Sequence, residues 1–148
     1  MKVFVEKVDA SKLEKVIIQC YKVTDEVKSI VNFVKSTEAS LAGYVEDRIT
    51  QVYLQDIFYI EAVDNRVFAY TQKKIYELKY KLYEFEKIYE SQRFFRCSKS
   101  MIVNLMKIES VYPIFNGRLA AKLLNNEEII ISRQYVPMLK SYLSGGSS

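Results

Sequence analysis

The chain has 148 residues, a formal charge of +4, and no histidine. Histidine-ligated zinc, a Ser-His-Asp triad and a Cys-His dyad therefore cannot be built from it. Its four glycines, at 43, 117, 145 and 146, leave no glycine-rich phosphate loop, while 49% hydrophobic and 27% charged residues suit one globular domain and exclude disorder or a collagen-like chain.

The first segment, Lys2 to Val8, alternates apolar and charged residues, and Lys15 to Val23 forms a second run rich in β-branched residues. Asp9–Ala10–Ser11 links them. Thr24 is placed to cap a helix over Asp25 to Lys35, with Val27, Ile30, Val31 and Val34 on one face and two acids in the first turn. These elements form an expected β-β-α extension over residues 1–43, ending at Gly43, too short to stand as a domain. It is a candidate dimerisation or signal-receiving element.

From Tyr44 the texture changes to short strands. Ile49–Tyr53, Ile57–Ala62, Val67–Tyr70 and Ile75–Leu78 are separated by polar turns, among them Asp64–Asn65. Leu78, Leu82, Phe85 and Tyr89 then form a helical stripe, so a helix over Lys79–Glu90 should lie on a sheet, with Glu84, Glu86 and Glu90 facing away. Phe94–Cys97 predicts a strand, Ser98–Asn104 a short helical turn, and Ile108–Phe115 a strand. Asn116–Gly117 is the strongest hairpin signal. Strands over Arg118–Leu124 and Glu127–Ile131 follow, and Ser132 should cap a last helix over Arg133–Leu143. Residues 144–148 read as a flexible tail. The fold class is mainly β with short helices (α+β).

Cys20 and Cys97 match no metal spacing and read as two free, buried thiols in a reducing compartment. Lys2, Glu6, Lys7 and Asp9 interrupt every apolar run near the start, so no signal peptide is expected. No stretch approaches the ~20 apolar residues of a membrane span. The expectation is a cytoplasmic protein with no metal, no cofactor and no membrane insertion. Charge is uneven: residues 1–43 carry +1, residues 44–90 carry −2 and residues 91–148 carry +5. A basic C-terminal part is compatible with a polyanion and equally with a solvated surface.

Three segments carry a family resemblance: Ile57-Phe-Tyr-Ile-Glu-Ala62, Phe94-Phe-Arg-Cys-Ser-Lys-Ser-Met-Ile-Val-Asn104 and Ile129-Ile-Ile-Ser-Arg-Gln-Tyr135. In this order and spacing the chain resembles the LytTR DNA-binding domain, a bacterial transcription-regulating module, over about residues 44–143. The middle segment is the most specific. The resemblance implies an elongated arrangement of small antiparallel sheets whose loops enter successive major grooves of double-stranded DNA. It also implies binding of paired direct repeats in promoters as a homodimer. Carried onto matching positions, the base readers would be Asn65, Lys99 and Arg133, with Arg66 and Ser100 as phosphate contacts. Lys and Arg suit guanine O6 and N7, and Asn suits adenine N6 and N7. Many members have histidine where this chain has Ser98, and some where it has Asn65, so base preference does not carry over. The receiver domain that commonly accompanies this module needs about 120 residues and a cluster of aspartates. The chain is accordingly similar to stand-alone members, a regulator open to a regulatory protein partner.

Other readings stand beside these. Asn104 suits a structural cap more than a base contact. Arg96 is either the solvent side of a strand or a phosphate contact. The twelve tyrosines suggest β packing more than base stacking, though a single-stranded nucleic-acid module or a protein-interaction module remains the alternative function. No catalytic constellation is visible, so an enzyme is not expected.

Overall fold

The computed structural model describes residues 1–12, 14–89 and 93–144. Helix α1 (Asp25–Glu38) opens the regular structure, followed by strands β1 (Ser40–Val45), β2 (Arg48–Tyr53), β3 (Ile57–Val63), β4 (Arg66–Thr71) and β5 (Ile75–Leu78). Next come α2 (Leu82–Ile88), β6 (Phe94–Arg96), β7 (Met101–Asn104), β8 (Ile108–Pro113), β9 (Leu119–Leu123), β10 (Glu128–Ile131) and α3 (Val136–Leu143). The strands form a seven-stranded sheet in the order β2-β1-β5-β4-β3-β7-β6 and a three-stranded sheet in the order β10-β9-β8. Every pairing is antiparallel.

The large sheet has a core on each face. On one, Ile57, Ile60, Val67, Ala69, Leu78 and Ile102 meet Leu82 and Phe85 of α2. On the other, Phe58, Tyr59, Phe95 and Val103 meet the small sheet and Val136 and Leu139 of α3. A bulge between Ile57 and Tyr59 interrupts the period-two alternation of β3, so Phe58 and Tyr59 enter one core while Ile57 and Ile60 enter the other. The helical stripe read from Leu78 to Tyr89 lies against the sheet as expected, with Leu82 and Phe85 buried. Helix α2 is shorter than Lys79–Glu90, because Lys81 is extended and its backbone N–H donates to the Glu84 carboxylate at 2.9 Å, closing the first turn. Glu90 and the tail residues 145–148 lie outside the described residues.

Several further elements differ from expectation. Residues 2–8 and 15–23 form no strands among the described residues. Their alternating pattern has no third strand to pack on, and an isolated hairpin is marginal. Thr24 does cap α1, its Oγ1 accepting from the Val27 N–H at 3.3 Å. The expected boundary at residue 43 falls inside β1, which pairs with β2 and β5. Gly43 is there for space: a Cβ would sit 2.6 Å from Val52 Cγ2 and 2.9 Å from Tyr76 Cβ. Helix α1 packs on the 3-10 turn Leu54–Asp56, and the Leu54 N–H donates to the Ala39 carbonyl at 3.0 Å. The span 98–104 is a loop followed by β7 rather than a helical turn. Ile102 and Val103 are both fully buried, one in each core, so this strand shows no alternation. Of the two cysteines, Cys97 is buried and Cys20 is exposed.

Candidate nucleic-acid interface

The turn between β3 and β4 is built by Asp64 and Asn65, with φ of 50° and 65°. Two consecutive left-handed residues give the type I′ geometry that matches the twist of a tight hairpin, and Asp and Asn tolerate it better than most. Asn65 and Arg66 are exposed on this turn. Arg66 is already engaged: its Nη2 and Nε donate to the two Glu77 oxygens at 2.8 and 3.1 Å, and its guanidinium lies 5.2 Å from the Phe68 ring centre. The Glu77 carboxyl is held below the ordinary range, first by this hydrogen bond.

The second loop, residues 97–100, joins β6 to β7 and carries exposed Lys99 and Ser100. It is tightly bonded. The Cys97 N–H donates to the Met101 carbonyl at 3.0 Å, and the Ser100 N–H donates to Ser98 Oγ at 3.2 Å. Arg96 braces it from within: Nε donates to the Ser98 carbonyl at 2.7 Å, Nη2 to the Lys99 carbonyl at 2.5 Å, and Nη1 to Glu86 Oε1 at 3.0 Å. Arg96 is thus neither an idle solvent-side residue nor a free cation. Strand alternation could place its side chain opposite Phe95 and Cys97, but not name its acceptors, which are main-chain carbonyls and a carboxylate on α2.

The third segment follows β10. Arg133 is exposed on the 3-10 turn Arg133–Tyr135. Ser132 gives no side-chain cap; its carbonyl accepts from the Tyr135 N–H at 2.9 Å, and α3 begins three residues later than expected. The β8–β9 turn supports Arg133. A Cβ on Gly117 would lie 3.0 Å from Arg133 Cδ and 3.2 Å from Cγ, so the arginine stem rests over a residue that has no side chain. Gly117 also has a φ of 72°, and this double requirement was hidden behind the simpler hairpin signal.

Two backbone bonds unite these segments. The Ala62 N–H at the end of β3 donates to the Ser100 carbonyl at 2.8 Å, and the Ser132 N–H donates to the Cys97 carbonyl at 2.8 Å. The β3–β4 turn, the 97–100 loop and the start of the 133–135 turn therefore share one end of the molecule. Among the described residues no ion pair occupies Lys99 or Arg133. Both side chains are exposed, as are Asn65 and Ser100, and cations, an amide and a hydroxyl are groups suited to anionic phosphates and to acceptor-rich base edges.

Surrounding groups are structural. Asn104 is 3% exposed; its Nδ2 donates to the Ile57 carbonyl at 2.9 Å and its Oδ1 accepts from the Met106 N–H at 3.0 Å. This is the capping role. Tyr59 and Tyr70 stack with centroids 4.4 Å apart, and their hydroxyls donate to Glu127 and Glu61. Burial pushes the Cys97 thiol up to about 12, which removes the reactive thiolate. Among the described residues no cluster of acids and cysteines could hold a metal ion, and no helix is long and apolar enough to cross a membrane.

Comparison with known proteins accords with the fold. The LytTr DNA-binding domain family matches residues 47–144. An uncharacterized HTH-type transcriptional regulator of Staphylococcus aureus (strain bovine RF122 / ET3-1) is 34% identical over 129 residues, 86% of this chain and 87% of that one. A regulator of the same description from strain NCTC 8325 / PS 47 has the same identity and coverage. Among solved structures, the LytTr DNA-binding domain of a protein described as a methyl-accepting/DNA response regulator from Bacillus cereus has a TM-score of 0.67 at 25% identity, covering 72% of this chain and 97% of that one. The helix-turn-helix in the relatives' names has no counterpart among the described residues here, because strands separate α1 from α2 and α2 from α3.

Proposed function

The chain belongs to the LytTR DNA-binding domain family, and on that premise we propose that it is a transcriptional regulator reading double-stranded DNA sequence-specifically through loops in successive major grooves. Asn65, Lys99 and Arg133 are the base readers. Arg66 and Ser100 flank them toward the phosphates. The observation that carries this reading is the pair of main-chain bonds, Ala62 to Ser100 and Ser132 to Cys97, that joins the segments bearing these side chains. Loops held this way are preorganised, so ordering them on DNA costs little. The protein acts in the cytoplasm on promoter repeats, as a homodimer and without catalysis.

Base stacking on tyrosines is the weaker alternative. Tyr59, Tyr70, Tyr80 and Tyr89 are engaged in ring contacts with one another and with Phe85, which leaves them poorly placed as platforms for single strands.

The test is selection of bound sequences from a random duplex pool, followed by titration of the winner at increasing salt. A single enriched motif is expected, with a log–log salt slope of about −4 to −5 if roughly five phosphates are neutralised per protomer. A pool that stays random, or a slope near zero, would sink the proposal.

A further inference from the structure

The N-terminal arm has a strand's sequence and no strand's surroundings. Val3, Phe4 and Val5 are 85%, 85% and 92% exposed, and Val16, Ile17 and Tyr21 are 62%, 68% and 109% exposed. A concentration of apolar side chains of this kind on an extended segment marks an interaction site rather than ordinary surface. The root of the arm is fixed, because α1 is capped by Thr24 and buries Val27. Within the arm there is one local turn, where the Ser11 N–H donates to Asp9 Oδ1 at 3.2 Å and the Lys12 N–H to the Asp9 carbonyl at 2.9 Å. The backbone groups of residues 2–8 make no ladder with another strand among the described residues.

We propose that the partner is a second copy of this chain, and that two arms pair as antiparallel strands about a two-fold axis through Phe4. The register follows from side-chain matching. Centred on Phe4, Lys2 stands opposite Glu6 of the partner subunit, Val3 opposite Val5 of the partner subunit, and Phe4 opposite Phe4 of the partner subunit. From Lys2 to Glu6 each opposed pair is then either charge-complementary or apolar, the combinations that stabilise antiparallel neighbours, and only at the ends does Met1 meet Lys7 of the partner subunit. Centred one residue later, on Val5, Lys2 would oppose Val8, Val3 would oppose Lys7 and Phe4 would oppose Glu6, an apolar side chain against a charge each time. Moving the axis by one residue slides the strands past each other by two and turns these matched pairs into mismatched ones, so the Phe4-centred register is favoured by its side-chain pairs. The contact is isologous and closes at two copies. Because the paired strands precede the turn at Asp9 and the segment leading to α1, they raise the local concentration of the second DNA-binding region without fixing its orientation. That freedom suits head-to-tail sites as well as inverted ones. The arm lies outside the family-matched residues 47–144, so this inference stands independently of the base-reading proposal.

The full-length protein carrying Cys20→Ser tests it, with either Phe4→Cys or Val5→Cys added. In the Phe4-centred register the two residues at position 4 are directly opposed, about 4.5–5.5 Å apart between Cα atoms and within disulfide reach. Those at position 5 are diagonal, roughly 8 Å apart and out of reach. Mild oxidation is expected to crosslink Phe4→Cys to a dimer and to leave Val5→Cys at background. In parallel, the unmodified chain should sediment as a dimer at micromolar concentration, and Phe4→Glu should weaken association at least tenfold (about 1.4 kcal/mol) with unchanged far-ultraviolet dichroism. A monomeric unmodified chain, a dimer indifferent to Phe4→Glu, or equal crosslinking at both positions would each overturn the proposal.

Discussion

The Ser132 N–H donates to the Cys97 carbonyl at 2.8 Å. This bond runs from the end of the small sheet to the end of β6 in the large one. It sets the residue before Arg133 against the loop that carries Lys99. The two cationic side chains with the largest proposed part in base reading are therefore registered to each other by main chain.

Specificity and grip should separate by residue. Lys99→Ala and Arg133→Ala are each expected to cost about 1–3 kcal/mol on the selected duplex and little on random DNA. Lys122→Ala is the control, since Lys122 sits within β9 and pairs with Glu109 at 3.3 Å. Competition binding with both duplexes measures this. Arg66→Ala should weaken both duplexes alike, and Glu77→Gln, which loosens the hold on Arg66, should strengthen both. Equal losses on both duplexes for Lys99→Ala and Arg133→Ala would reassign those residues to the backbone.

Gly117→Ala should act on DNA through Arg133. The added methyl meets the arginine stem at 3.0 Å and the backbone is held at a φ of 72°, a conformation costly for alanine. Thermal unfolding should shift down, and discrimination between selected and random duplexes should fall toward that of Arg133→Ala. A double variant losing no more discrimination than either single one would show that both act at one point.

Arg96→Lys tests the loop brace. A lysine keeps the charge but cannot reach two carbonyls and a carboxylate with a planar fork. Expected outcomes are faster amide exchange at residues 98–100 and a several-fold loss of duplex discrimination, with the fold intact. Unchanged exchange would mean the backbone bonds alone hold the loop.

Asn104→Leu should destabilise by about 2–3 kcal/mol, since it removes a buried donor and acceptor together and leaves the Ile57 carbonyl and Met106 N–H without these partners. Urea unfolding gives the value. Asn104→Asp should cost at least as much, because a carboxylate cannot donate to the Ile57 carbonyl.

Stability should fall at alkaline pH. Burial raises the Cys97 thiol to about 12, and burial followed by the Glu127 hydrogen bond raises the Tyr59 hydroxyl as well. Groups whose folded pKa is raised contribute stability while protonated in both states. That contribution is lost as the pH climbs from the unfolded value toward the folded one. For Cys97 the window runs from about pH 9 to about 12. Melting temperatures measured across pH 8.5–11 should therefore decline, and Cys97→Ala, less stable overall, should decline less steeply. In the unsubstituted protein at neutral pH, a thiol reagent should label Cys20 and spare Cys97 until unfolding.

Much of the sheet could be read from the sequence because its turns are chemically marked: Asp64–Asn65 and Asn116–Gly117 announce left-handed backbone, and α2 announces its apolar stripe. Legibility ended where a residue's environment comes from both sides or from another segment. Ile102 and Val103 each enter a different core, so β7 resembles no half-buried pattern. Gly43 resembled a linker end, whereas it is a point of close approach between strands. The candidate readers were legible through a motif, but their supports were not: Glu86, expected to face away from the sheet, anchors Arg96, and nothing local in Gly117 discloses Arg133 above it.

The frame that joins the three loops is made of backbone N–H and carbonyl groups, which every residue except proline supplies in full. Exchanging the side chains at positions 65, 99 and 133 leaves those bonds in place. On the proposed reading, descendants of such a protein can drift from one operator to another by single substitutions, each tried on the same mounting. In that reading the address changes while the architecture persists.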